Sequence, residues 1–130
     1  MAYEIHGFKL GTLKAPSTAF SVKQYHCVTA NSCEGFIATP SDSAPMIGVM
    51  QGAPTVTGES VEIVATGVTK VAFNASIAAG SNFIVGTSGR IHSTGSAAAG
   101  GTIYGPVLVN PGTTAGDIGT VVLNVIGKTT

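Results

Sequence analysis

Apolar residues in this chain occur in short runs, and residues that favour turns separate one run from the next. The clearest run is VEIVAT, from Val61 to Thr66, in which alternate residues give an apolar face and the others a mixed face. This period of two is typical of a β-strand with one buried side. Gly67 breaks the run, and VTKVAF, from Val68 to Phe73, continues it. We therefore expect strand structure on both sides of an interruption at Gly67.

Other runs rich in β-branched and aromatic residues predict further short strands. These runs lie at 20–29, 35–39, 46–51, 83–86, 90–93, 103–109 and 120–126. The residues between 86 and 90 predict a turn, in which Gly89 supplies a positive φ. The pattern indicates an all-β fold, a small single-domain β-barrel or β-sandwich of short strands with an extended N-terminal segment and little helix.

Residues 1–19 precede the predicted β domain, which spans residues 20–130. Two interpretations of this segment stay open: it is the first strand of the domain, or it is an arm that adds its edge to a neighbouring subunit. Its apolar residues need a protein partner in either case, so we expect an interface there. The candidate interface residues are Tyr3, Ile5, Phe8, Leu10, Leu13 and Phe20.

The composition favours a surface that another protein covers. Charged residues make up 9% of the chain, against about 25% in an ordinary soluble domain. The exterior must therefore consist largely of Gly, Ser, Thr, Asn and backbone, which a neighbour can approach while few ions lose their water. We expect a homo-oligomer, and the alternative is a plain neutral β domain.

The charge pattern argues against nucleic acid and membranes as partners. The formal net charge is zero, and the six Lys and Arg residues are scattered along the chain, so no basic patch to neutralise phosphates is expected. The first twenty residues lack the apolar run of a secretion signal. The uncharged segment from Ile91 to Gly116 is too often interrupted for a spanning helix. We expect synthesis and retention in a cytosol.

Candidate catalytic chemistry is sparse, and the sequence predicts a protein that is not an enzyme and holds no cofactor. The six acidic residues show no paired spacing, and His6 and His92 are isolated. His26, Cys27 and Cys33 are close in sequence, but neighbours on a strand point to opposite faces, and three ligands leave a zinc site incomplete. A disulfide between Cys27 and Cys33 is an alternative, and two buried or half-buried thiols are the favoured interpretation.

Four segments in a fixed order carry a resemblance to a known family. They are QYHCV (Gln24 to Val28), PMIGVMQGAPTVTGESVEIVATGVTKV (Pro45 to Val71), ASIAAGSNFIVGTSGRI (Ala75 to Ile91) and YGPVLVNPGTTAGDIGTVVLNV (Tyr104 to Val125). In this order of strands and turns the chain resembles the bacteriophage capsid cement, or head decoration, proteins.

The resemblance implies a small β-rich virion protein that binds the outer surface of an assembled capsid and reinforces it without catalysis. Its partners would be the major capsid protein and further copies of itself, with a trimer favoured, after synthesis in the cytoplasm of the bacterial host. The Gly-rich opening typical of the family is replaced here by MAYEIHGFKLGTLKAP. The alternative function is a glycan- or surface-recognition module, which the irregular spacing of the sixteen threonines disfavours.

Overall fold

The computed structural model describes residues 8–30, 37–40, 45–86, 88–96, 100–112 and 114–128, and these form an all-β fold. The strands are β1 Phe8–Lys14, β2 Cys27–Ala30, β3 Ile37–Ala38, β4 Gly48–Met50, β5 Ser60–Ala72, β6 Phe83–Val85, β7 Ile91–Ser93, β8 Thr102–Tyr104, β9 Val107–Val109, β10 Ile118–Leu123 and β11 Val125–Lys128. Two short 3₁₀ helices span Thr18–Val22 and Thr94–Ser96. The predicted fold class is confirmed.

Two sheets with antiparallel strand pairing make up the described structure. The large sheet has seven strands in the order β3-β2-β4-β5-β10-β9, with β1 also paired to β5. The small sheet has four strands in the order β11-β8-β6-β7. Its β6 and β7 form the hairpin predicted from the sequence, with Gly89 at φ 81° in the turn. In the part of the chain that the structure describes, no helix is long and apolar enough to cross a membrane.

Strand β5 is the centre of the large sheet. At Ile63 it pairs with Met50 of β4 and with Gly11 of β1. Residues 67–72 pair instead with β10, and the two partners meet where Phe8 lies opposite Thr66 and Leu123 lies opposite Gly67. Since β1 and β10 are both antiparallel to β5, they run in the same direction, one after the other.

Gly67 does not end a strand, contrary to the interruption expected from the sequence. It lies within the 13-residue β5 and has φ 95°. A side chain is rarely tolerated at such a φ, so glycine is needed where the partner changes from β1 to β10. The sequence correctly marks an irregularity here, but the backbone hydrogen bonds continue past it.

Both faces of the large sheet are buried at its central strands β2, β4 and β5. Neighbouring residues on its central strands enter opposite cores because strand side chains alternate between faces. The pairs that divide in this way are Cys27 and Val28, Val49 and Met50, and Val64 and Ile63. The first core lies between the two sheets and includes Phe83, Val85, Ile91 and Tyr104 from the small sheet. Burial of each large apolar side chain contributes about 1.5–3 kcal/mol.

The second face of the large sheet is covered by the segment that follows β1. Ala15 and Phe20 pack there against Val28, Met50 and Ile63. The strand predicted from Phe20 to Thr29 is therefore wrong over its first part, where residues 18–22 form a 3₁₀ helix. The Ser17 side chain accepts a hydrogen bond from the Ala19 N–H at 3.3 Å, which favours a helical turn, and this turn directs Phe20 inward.

Replacing Gly48 with alanine is expected to destabilise the fold. A methyl group at Gly48 would overlap the carbonyl oxygen of Val64 and lie 2.6 Å from Ile63 Cγ2. The backbones of β4 and β5 would have to separate, so we expect Gly48→Ala to lower the free energy of unfolding by about 1–3 kcal/mol. Urea denaturation followed by circular dichroism measures this change.

Gly52→Ala is the matched control, because the nearest atom to its methyl group would be Val61 Cγ1 at an ordinary 3.7 Å. We expect little change in stability there. Equal destabilisation by the two substitutions would contradict the close approach of β4 to β5.

Candidate interaction surfaces

The last three strands carry most of the exposed large apolar side chains of the described residues. Five of these seven side chains lie on β9, β10 and β11. They are Leu108, Val109, Ile118, Val125 and Ile126, which we call the C-terminal apolar region. Scattered single apolar residues are normal on a protein surface, but these five lie on three consecutive strands of the chain.

Strand β11 forms an open edge within this region. It is the end strand of the small sheet, where it pairs with β8. Val125 is 64% exposed and Ile126 is 50% exposed, and the pairing with β8 is irregular between Val125 and Gly127. An edge strand offers backbone donors and acceptors as well as side chains to a partner.

The edge at β9 is different, because a loop of the same chain covers part of it. The N–H of Val107 donates to the carbonyl of Ser81 at 2.9 Å, and the N–H of Gly80 donates to the carbonyl of Val107 at 2.7 Å. The Asn110 side chain also donates to Ser76 Oγ at 2.8 Å. Of these two edges, β11 is the one with no second partner among the described residues.

The six interface residues predicted from the sequence differ in where they lie: outside the described residues, on β1, or in the second core. Tyr3 and Ile5 lie outside the described residues, and Phe8 and Leu10 lie on β1. Leu13 is half-buried against the second core. Phe20 is 7% exposed within that core, which leaves little of its side chain for another protein. An interface role for the six residues stays a prediction.

The C-terminal apolar region was not predicted as an interface. The run TVVLNVI from Thr120 to Ile126 has the composition of an ordinary core strand. Only the order of strands in the sheets shows that Val125 and Ile126 lie on an edge. The usable signal in the sequence is Asn124, a poor strand former between two apolar runs, where β10 ends and β11 begins.

His26 and Cys27 do not form a reactive pair. Cys27 is a free, buried thiol, and burial raises its pKa, so the sulfur stays protonated and unreactive at neutral pH. The Nδ1 atom of His26 lies 3.1 Å from the carbonyl oxygen of Gln24. Cys33 lies outside the described residues. Within those residues, no three His, Cys, Asp or Glu side chains are grouped as metal ligands.

Cations that are scattered in the sequence meet in the fold. We call Lys23, Tyr25, His26, Lys70 and Arg90 the basic region. The charges of Lys23 and Arg90 both act on the His26 ring, and Lys70 Nζ lies 5.4 Å from the centroid of the Tyr25 ring, within range of a cation–π interaction. The fold thus brings together cations that lie far apart in the sequence, while the absence of a nucleic-acid partner stays a prediction.

Tyr25 occupies a strained backbone conformation at the centre of this region. Its φ is 63°, which costs a bulky residue about 1–3 kcal/mol. Two backbone hydrogen bonds hold it there: its N–H donates to Met50 at 2.8 Å, and its carbonyl accepts from Ala72 at 2.9 Å. The turn is thus fixed between β4 and the end of β5.

The His26→Gln variant is expected to lose part of the acid sensitivity of the fold. Burial, together with the positive charges of Lys23 and Arg90, lowers the His26 pKa below its ordinary value of 6.5, although the Gln24 carbonyl opposes the shift. The unfolded chain therefore binds a proton that the folded chain resists, so stability falls as the pH drops below about 6.5.

Chemical denaturation between about pH 7.5 and about pH 5 measures this effect. The glutamine variant should show a smaller loss of unfolding free energy over that range than the wild type. An unchanged pH dependence would show that His26 is not responsible.

Comparison with known proteins supports the fold. No family model matches the chain, and no curated protein matches it. Among solved structures, it is similar to the head fiber gp8.5 N base of bacteriophage phi29, with a TM-score of 0.66 and 18% sequence identity. The match covers 89% of this chain and 92% of that one. At this identity the likeness shows a shared fold.

Proposed function

We propose that this protein is a structural component of a bacteriophage head, which binds the outer surface of the assembled capsid and stabilises it without catalysis. The observation that carries the proposal is the likeness to a head fiber base over almost the whole of both chains. The order of motifs shared with capsid cement proteins and the low content of charged residues support the same function independently.

The proposed partners are the major capsid protein and further copies of this chain. A protein that binds a repeating lattice gains avidity from many modest contacts, which suits a surface with few ions to desolvate. In this proposal the residues from Tyr3 to Phe20 that were predicted as an interface contact the capsid or a neighbouring copy. The protein is made in the cytoplasm of the bacterial host and is located on the outside of the virion.

A closed oligomer, with a trimer favoured, accounts for the C-terminal apolar region. Val125 and Ile126 lie on an open strand edge. In the single chain Val125 is 64% exposed and Ile126 is 50% exposed. Burial against a second copy would stabilise the assembly by about 25 cal/mol for each Å² of apolar surface removed from water. Closed symmetry would use the same edge in every copy.

The direct test uses capsids of the encoding phage that were assembled without this protein. The purified protein should co-sediment with these shells, appear on their outer surface in electron microscopy, and raise the temperature at which they break open. Absence of binding, together with monomeric behaviour in light scattering at high concentration, would exclude the proposed function.

Val125→Asp is expected to weaken self-association. A carboxylate at this position would have to be desolvated in an interface that includes β11, and the cost of burying an unpaired charge is high. Analytical ultracentrifugation should show a shift towards monomer, by about tenfold or more in the dissociation constant. Circular dichroism checks that the fold is retained.

Val56→Asp is the matched control, because Val56 is equally exposed, at 62% against 64%, but lies in the connection before β5. It should leave self-association unchanged. Equal effects of the two substitutions would exclude the β11 edge as the contact surface.

A further inference from the structure

The basic region brings the side chains of three separate parts of the chain to one place. Lys23 and Tyr25 belong to the turn before β2, Lys70 to the end of β5, and Arg90 to the start of β7. Lys23 Nζ lies 3.5 Å from the carbonyl oxygen of Ser88, and the N–H of Cys27 donates to the carbonyl of Gly89 at 2.7 Å. The turn before β2 and the turn before β7 therefore lie side by side.

Two carboxylates of the described residues make contacts outside this region. The Glu59 carboxylate accepts a hydrogen bond from the Thr55 N–H at 3.3 Å. Asp117 follows Gly116, and a Cβ on Gly116 would lie 3.6 Å from Arg90 Nη2. Its Oδ2 atom is instead directed towards Gly112, 3.4 Å from where a Cβ would stand. Glu4, Glu34 and Asp42 lie outside the described residues.

Arg90 has hydrogen-bonding capacity that the described chain does not use. Its side chain is half-buried, and its Nε atom is buried with no hydrogen-bond partner in that part of the chain. A buried polar group without a partner is unfavourable, and such groups are rare. A carboxylate suits a guanidinium because it can accept two parallel N–H bonds at once.

The backbone around these side chains is fixed before any partner arrives. The Tyr25 N–H and carbonyl are bonded to Met50 and Ala72, and the His26 N–H donates to the Lys23 carbonyl at 3.0 Å. The Tyr25 ring also holds Lys70 by the cation–π contact. A site with a fixed backbone loses little conformational entropy when it binds.

We propose that the basic region binds carboxylate groups on an acidic protein surface. This inference rests on the proposed function for the choice of partner, which is the outer surface of the capsid. Two lysines and one arginine match a small cluster of Asp or Glu side chains. They are too few for a nucleic acid, whose binding proteins typically neutralise about six to ten phosphates, and the zero net charge of the chain gives no general attraction to a polyanion.

The first experiment titrates the protein with a hexaglutamate peptide at low ionic strength and follows amide NMR shifts. The shifts should concentrate at Lys23, Tyr25, His26 and Arg90, and they should diminish as salt is added, because salt screens exposed charges. Lys23→Gln combined with Lys70→Gln should weaken binding about tenfold. Arg90→Gln should also weaken binding about tenfold. If Arg90→Gln prevents folding, the double lysine variant still tests the site.

Lys14→Gln combined with Lys128→Gln is the matched control, since it removes the same charge from two exposed lysines elsewhere. Equal weakening by the control would overturn the site, as would NMR shifts spread over the whole surface. Inorganic phosphate and an oligothymidylate of equal charge are the competing probes. Tighter binding of the oligothymidylate than of hexaglutamate would overturn carboxylate recognition.

The second experiment separates this inference from the proposed function. If the wild type binds the shells and the Lys23 and Lys70 double variant binds them equally well, the inference fails and the proposed function stands. If the wild type does not bind the shells, the proposed function fails, and the hexaglutamate titration still decides whether the region recognises carboxylates.

Discussion

The pairing of β5 on both of its edges is the constraint on which the rest of the fold depends. At Ile63 and Val64 the strand has β1 on one edge and β4 on the other, and both of its faces are buried. A shift of β5 by one residue would therefore move its apolar side chains from one core into the other. Gly67 allows the same strand to continue with a new partner. The position of β10 is therefore set by its pairing with β5, and the position of β9 by its pairing with β10.

The two candidate surfaces differ in their chemistry and therefore in the contacts that they suit. The β11 edge offers apolar side chains and backbone groups, whose contacts are insensitive to salt and resemble those inside a domain. The basic region offers charges on a fixed turn, whose contacts weaken with ionic strength. In the proposed function the first surface serves contacts between copies and the second serves contacts with the shell, so the two could be disrupted separately.

Sequence reasoning succeeded where the structure is local. The alternation around Ile63 and the hairpin closed by Gly89 were predictable because neighbouring residues decide them. The strand predicted to begin at Phe20 was wrong because Phe20 packs over the second face of the large sheet from a 3₁₀ helix. That position depends on tertiary packing, which the local sequence does not show. The edge position of Val125 and the meeting of Lys70 with Tyr25 were not predictable, because both depend on strands that are distant in the sequence.

The placement of β1 and β10 also sets when this protein can fold. One edge of β5 is completed by Phe8–Lys14 from the beginning of the sequence and by Ile118–Leu123 from near its other end. A ribosome releases the first partner and β5 long before it releases the second. Until β10 is released, one edge of residues 67–72 is unpaired. Pairing between segments as distant in sequence as β5 and β10 is slow. The large sheet is therefore completed only after Leu123 has been synthesised, and until then its central strand is open to pairing with other nascent chains.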